Sequence, residues 1–597
     1  MNEQPADIYR KRLEARTADA AICASREAGL STARLVVFGA GALAAVLAYR
    51  GESAGVVLAV VAVAAFAALA VIHERVIRRH ERARRATTFY ERGLGRINHT
   101  FQGTGATGNE FLEAHHPYAG DLDVFGEGSL FEWICSARTV GGEARLASWF
   151  LEPAPRPEVL ARREAVEELR DRLDLREDLA VLAEDVRVDL HPETLSKWGE
   201  APAIGLTRNH RIIATVLAAA TTLAAAAWVL GAGPLPTLAL IAAEIGFVFT
   251  VKERVKAVLH AVDAPALELG VLASIFERIE AERHTSPALV ELRSRLDTGG
   301  LPPSKQIQRL CRLLELVESR KNQLFAPIAA MWLWGTQFAC AIETWRTDVG
   351  PKLAGWVDAV SELEALLSLA GNAWEQPDAI WAELVEGEAR LEGTGIGHPL
   401  LPSATRVCND IRLDAARPLI VISGSNMSGK STWLRSLGVN VVLARAGGVV
   451  CAETFTLSPL RVGASIRIVD SLQEGASHFY AEITRLRTIL DLTEGASPDP
   501  TFFLLDEILH GTNSRDRAAG AEAVVTELVK RGGIGLVTTH DLTLAGIADR
   551  LGERATNMHF ADQLEDGEMY FDYKVRDGVV DRSNALALMR SVGLPVD

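Results

Sequence analysis

The chain is 597 residues long, carries a formal net charge of −15 and is 48% hydrophobic. That length allows several domains and a large core, while the acidic balance excludes a global basic footprint for nucleic acid, so any DNA contact needs a local patch. The six cysteines form no CxxC pair, which argues against a disulfide framework or a cysteine metal site and suits a reducing cytosol.

Residues 1–30 are polar and charged, read as a cytoplasmic segment, and lack the early apolar run of a cleavable signal peptide. Apolar runs follow at 35–49 and 54–72, separated by a short loop of Arg50, Gly51, Glu52 and Ser53. The pattern recurs at 212–232 and 235–251, across a turn containing Pro234 and Pro236. The longer runs reach the length that spans a bilayer core, so the sequence predicts transmembrane hairpins at 31–86, with its basic flank, and at 206–256. Buried core helices are the alternative, above all for the first run and for the fourth, which carries Glu244. Charge favours the membrane. Arg26 and Arg34 precede the first run, Arg75, Arg78, Arg79 and Arg82 follow the second, and Arg208, Arg211, Lys252 and Arg254 flank the other hairpin. By the positive-inside rule both termini and all large segments are then cytoplasmic. A lipid-facing Glu244 would cost about 2–4 kcal/mol, so it is expected to face another helix or to sit shallow.

Residues 116–205 and 257–392 carry apolar residues at three- and four-residue spacing and predict a helical core interrupted by the second hairpin. From residue 418 the texture changes to short β-rich runs followed by helices: PLIVISG, TFFLLDE and GIGLVTTHD. That alternation predicts an α/β nucleotide-binding domain over 393–597 with a largely parallel sheet.

The first β-run leads into Gly424-Ser425-Asn426-Met427-Ser428-Gly429-Lys430-Ser431, with a helix expected from about Thr432. Glycines let backbone N–H groups wrap phosphates, and a helix N-terminus adds a favourable dipole. In such a P-loop Lys430 reaches the β and γ phosphates of ATP and the Ser431 hydroxyl binds Mg²⁺. The second run ends in two carboxylates, putting Asp506 near the Mg²⁺ and Glu507 where it can polarise the attacking water. The third run delivers His540 to the same sheet edge as a γ-phosphate sensor; a purely structural histidine is the alternative.

Asn426-Met427 inside the loop, DEILHGTNSRD after the acidic strand and the Thr-Thr-His strand together resemble the MutS family of mismatch-repair ATPases, with an ABC-type nucleotide-binding fold. Ser425 stands where that family's loop typically has proline. GASHFYAEITRL, residues 475–486, resembles the family's signature segment. The resemblance implies that Ser477 contacts the γ-phosphate held by a partner subunit, with Glu482 further along the helix, so a homodimer is expected. No LSGGQ is present, which weakens an ordinary transporter assignment. GSLFEWICSARTVGGEARLASWFLEP resembles the start of the MutS helical core, and MYFDYKVRDG resembles the hairpin that helps hold adenine, making Tyr573 a candidate stacking residue; packing alone also explains an alternating strand tyrosine.

The chain departs from the family pattern upstream, where a hairpin occupies the space of the mismatch-recognition domains. Phe111-Leu-Glu113 and Phe125-Gly-Glu127 match the spelling of the mismatch-reading motif, as chance allows, and are assigned no role. The expectation is a membrane-anchored MutS-family ATPase in the lipid bilayer, using ATP and Mg²⁺ in a composite dimer site and acting, by resemblance, on mismatched or structured DNA. A membrane remodelling or transport machine, or an ATP-gated scaffold without turnover, is the alternative.

Overall fold

The computed structural model describes residues 3–183, 192–263, 265–297, 299–323, 325–425, 427–467, 478–494, 499–509, 514–540, 542–565 and 568–579. α1 (Pro5–Tyr49) and α2 (Ser53–Ile97) are each 45 residues long, about 68 Å of helix apiece. They pair antiparallel along their length: Arg12 meets Tyr90, Glu27 meets His80, Arg34 meets His73, and Phe38 lies against Phe66. The apolar runs occupy only the distal part of this hairpin. Its polar base continues unbroken beyond them, which the runs alone do not reveal.

The helical body begins with α3 (Leu130–Ile134), α4 (Val140–Leu151), α5 (Arg156–Arg170), α6 (Leu173–Ala183) and α7 (Pro192–Glu200). The second hairpin, α8 (Arg208–Ala227) and α9 (Leu235–Asp263), interrupts it. The body resumes with α10 (Pro265–Glu280), α11 (Pro287–Arg295), α12 (Pro303–Ser319), α13 (Ala326–Met331), α14 (Trp334–Val349) and α15 (Leu353–Glu375). α15 is buried on nearly every face, with Trp356, Leu363, Leu366 and Leu369 at its core, as a helix enclosed by others must be.

The base of the first hairpin docks on this body. Tyr9, Phe89 and Tyr90 pack with Leu173 and Ala180, and Arg96 forms an ion pair with Glu375, which also accepts from the Tyr9 hydroxyl at 3.0 Å. α1, α2, α8 and α9 are long and apolar enough to cross a membrane by length and composition. Their apolar faces are largely bare, Leu223 and Phe249 each being 72% exposed. Glu244 is buried against α8, where Thr221 donates to it at 2.6 Å. α8 runs on into a π-helical turn, Trp228–Ala232, with Gly231 inside it and Gly233 just after it at positive φ, and α9 starts at Leu235, where the run beyond the proline turn was expected to begin.

The helix expected as far as residue 392 stops at Glu375, and strand structure starts within the segment read as helical. β1 (Glu383–Leu384), β2 (Arg390–Ile396), β3 (Asn409–Asp414) and β5 (Thr454–Leu457) form a sheet in the order β1-β5-β2-β3. β2 has only seven residues, an alternating burial pattern and two glycines, a period-2 signal too short to stand out beside the helices. The larger sheet contains β4 (Leu419–Ser423), β6 (Arg461–Ser465), β7 (Thr501–Asp506), β8 (Ile534–Thr539), β9 (Ala555–Glu565) and β10 (Glu568–Asp577), in the order β10-β9-β4-β8-β7-β6. All its pairings are parallel except β9 with β10. α16 (Lys430–Ala446), α17 (His478–Glu494), α18 (Ser514–Lys530) and α19 (Leu542–Leu551) connect its strands.

The segment between α2 and α3 joins the helical body to this sheet. Asp121 accepts from the backbone N–H groups of Ile466 and Arg467 at 2.7 and 2.8 Å, just after β6. Phe111, Phe125 and Phe131 pack on one another, so the two motif-like phenylalanines are packing residues of the linker.

Candidate functional site

β4, β7 and β8 are buried parallel strands whose carboxyl ends meet in register, Ser423 opposite Thr539 and Asp506 opposite Thr538. Ligands of open parallel sheets bind at this edge because the loops there are free to vary while the strands stay fixed. The glycine-rich loop leaves β4 and enters α16 at Lys430, two residues before the expected start. Gly424 and Gly429 have φ of 157° and 99°. A Cβ at Gly429 would lie 2.9 Å from the Tyr573 ring, and one at Gly424 would lie 2.9 Å from the Ser428 hydroxyl. Both positions therefore need the missing side chain.

Lys430 is buried, and its ammonium donates to the carbonyls of Gly424 and Ser425, both at 2.8 Å. It also stands 3.3 Å from Glu507 Oε1, and His540 Nδ1 approaches the same oxygen at 3.2 Å. Burial by itself would raise the Glu507 carboxyl; Lys430 and His540 outweigh it and hold the group below the usual carboxylate value. Glu507 adopts a left-handed φ of 46°, and its N–H donates to the Thr538 carbonyl at 3.2 Å. A non-glycine residue held there by its surroundings is common at sites where a side chain must be aimed.

Asp506 accepts from the Ser431 hydroxyl at 2.5 Å and from the Thr538 hydroxyl. Hydroxyl and carboxylate oxygens are the hard donors Mg²⁺ prefers, and that ion usually takes one or two protein ligands beside phosphate and water. Among the described residues no group of three or more His, Cys, Asp or Glu could cage an ion. The donor set fits an ion shared with a phosphate chain. The Ser425 hydroxyl is buried and makes no hydrogen bond among the described residues.

These residues border a cavity of about 510 Å³, lined also by Met427, Thr432, Asn409, Tyr573 and His398. Tyr573 reaches it through a register shift in β10 between Phe571 and Val575. Asn409 holds that shift, donating to the Tyr573 carbonyl at 2.9 Å and accepting from the Val575 N–H at 3.0 Å. Sequence reading assigned no role to Asn409 and His398, which lie within the stretches NDIRL (409–413) and GIGHPLL (395–401) where the chain enters the sheet domain. Burial, with Arg435 and Arg406 nearby, lowers His398 to about 4. Glu482 on α17 accepts from the Leu509 N–H just after Glu507, tying that helix to the acidic strand. Asn426 and Ser477 lie outside the described residues.

A family model for MutS domain V matches residues 420–597. A DNA mismatch repair protein MutS 1 from Halobacterium salinarum is 35% identical over 264 residues, 42% of this chain and 29% of the relative. An Endonuclease MutS2 from Thermus thermophilus is 38% identical over 200 residues, 33% of this chain and 26% of the relative. A DNA mismatch repair protein MutS from Thermotoga petrophila is 34% identical over 211 residues, 35% of this chain and 26% of the relative. The matches thus cover less than a third of each relative's length.

Proposed function

Because this chain belongs to the MutS family through its C-terminal domain, we propose that it is a membrane-anchored P-loop ATPase acting on mismatched or structured DNA. The observation that carries the ATPase reading is the convergence of Lys430, Glu507, His540 and the Ser431–Asp506 pair beside one glycine-rich loop. Lys430 supplies fixed positive charge to the phosphates. Ser431 and Asp506 would hold Mg²⁺, which when bound neutralises phosphate charge. Glu507, held below the usual carboxylate value by Lys430 and by the His540 ring beside it, accepts a hydrogen bond from the attacking water and orients it. His540 steadies that carboxylate and senses the γ-phosphate, while Tyr573 stacks on adenine at the cavity wall. Ser477 completes the site of a second subunit, making the working unit a homodimer.

The relatives named as mismatch-repair proteins support DNA as the effector. The four bare apolar helices support anchoring, with α1/α2 and α8/α9 crossing the bilayer. They also favour a second reading, in which the same ATPase drives membrane remodelling. The deciding experiment measures ATP turnover of the purified full-length chain with homoduplex, mismatched and branched DNA, and with liposomes alone, at low and high salt. Stimulation by mismatched or branched DNA above homoduplex is expected. Stimulation by liposomes with none by any DNA would replace the first reading with the second.

A further inference from the structure

Away from the nucleotide cavity, the carboxyl-terminal end of α9 walls a second cavity of about 950 Å³, closed by α12, α13 and the start of α14. Its interior is apolar, built from Val255, Leu259, Val317, Ala329 and Leu333. Its cations are Lys252, Lys256, Arg320 and Lys321, with His260 beside them and Glu318 the one carboxylate in the lining. Glu318 already pairs with Lys321 at 2.6 Å. Among the described residues no carboxylate pairs with Lys252, Lys256 or Arg320.

The neighbours of the cavity fix its depth. Thr215, early in the apolar run of α8, donates to Gln337 on α14 at 3.4 Å. Ile212, Val216 and Phe249 are exposed on the hairpin beside it, and Ile328 and Trp332 are exposed on the α13 side. The cavity therefore lies where the apolar hairpin passes into the polar body, with tryptophan at the same level, as at a membrane–water interface. Between Trp332 and Trp334 the backbone of Leu333 is held at φ 48°, a conformation that persists for leucine only where its surroundings enforce it.

We propose that this cavity is a binding site for an anionic phospholipid of the leaflet facing the ATPase domain. The phosphate-bearing headgroup sits among Lys252, Lys256 and Arg320, and the acyl chains run along the apolar face of α9. The proposal rests on the membrane reading given above. An anionic glycerophospholipid carries both features the cavity offers partners for, negative charge at its mouth and apolar length inside it. A zwitterionic lipid would bring a further cation to a site with unpaired cations, and a nucleic-acid phosphate has nothing to fill the apolar interior.

The test uses full-length protein taken from nanodiscs of mixed phosphatidylcholine and phosphatidylglycerol, with retained lipid read by native mass spectrometry. The wild type is expected to retain phosphatidylglycerol preferentially. Combined Lys252→Gln, Lys256→Gln and Arg320→Gln is expected to lower that preference roughly tenfold or more. Ala330→Phe, which fills the cavity while keeping every cation, is expected to lower it as well. Arg75→Gln, Arg79→Gln and Arg84→Gln together remove the same charge from the other hairpin and are expected to leave it unchanged. Equal loss in that control, equal retention of both lipids by the wild type, or displacement of the lipid by glycerol phosphate or a DNA oligonucleotide would overturn the proposal. ATP binding, at the distant cavity, reports that each variant is folded. Carbonate washing separates the two readings: protein that stays in membranes but shows no lipid preference sinks the lipid site alone, and protein that washes off sinks both.

Discussion

Lys430 and Glu507 stand 3.3 Å apart and have separable tasks. Lys430→Ala removes the charge facing the phosphates, and nucleotide affinity is expected to fall roughly 10- to 100-fold, as for loss of a charged hydrogen bond. Glu507→Gln keeps the shape and loses the base, so affinity is expected to hold while turnover falls roughly 10²- to 10⁴-fold. Calorimetry and steady-state hydrolysis read the two separately; unchanged turnover in Glu507→Gln would remove that residue from the chemistry. His398 gives a pH prediction. Its folded value of about 4 lies below its ordinary 6.5, so as pH falls the unfolded chain takes up the proton first. The stability tied to the neutral imidazole is complete above about pH 6.5 and is lost as pH falls towards about 4, amounting to about 3 kcal/mol. Melting curves across that window are expected to be flatter for His398→Asn than for the wild type; identical slopes would refute a buried neutral ring.

The first hairpin joins the body through Arg96 and Glu375, both largely buried. Removing one member of a buried ion pair leaves the other charge uncompensated, at a cost of about 3–5 kcal/mol, whereas replacing both with apolar residues restores much of it. Hydrogen exchange over the polar base of α1 is therefore expected to accelerate strongly in Arg96→Met and much less in Arg96→Met with Glu375→Leu. Equal acceleration in both would show that the ion pair does not secure the dock. The partner residues here lie 279 positions apart, so no local pattern could have paired them. The apolar part of the same hairpin was legible because its composition alone distinguishes it. Its polar base was not, since a polar helix docked along one narrow seam resembles any solvated helix.

For the assembled protein, reporter fusions after residues 30, 100, 205 and 260 are expected on the cytoplasmic side, and one in the loop at 50–52 on the far side. A cytoplasmic signal from that loop would refute the first span. Shared ATP sites make a further claim. Ser477→Ala and Lys430→Ala proteins, each nearly inactive alone, are expected to regain partial hydrolysis when mixed, because a mixed dimer keeps one intact composite site. Verified mixed dimers without recovery would rule the shared site out.

The sequence by itself determined the features that depend on neighbours along the chain. The strand–loop–helix around Lys430, the paired carboxylates at Asp506 and Glu507, the position of His540 after its strand and the apolar runs all follow from local spacing and composition. Only the tertiary structure decided what converges from afar. Asn409 bracing the Tyr573 register shift, Asp121 clamping the chain after β6, Glu482 reaching past Glu507, and the cations gathered around the second cavity join segments from different parts of the chain. Hydrogen bonds and ion pairs act over a few ångströms in space, so the pairs that build these sites exist only after the core has folded and brought them together.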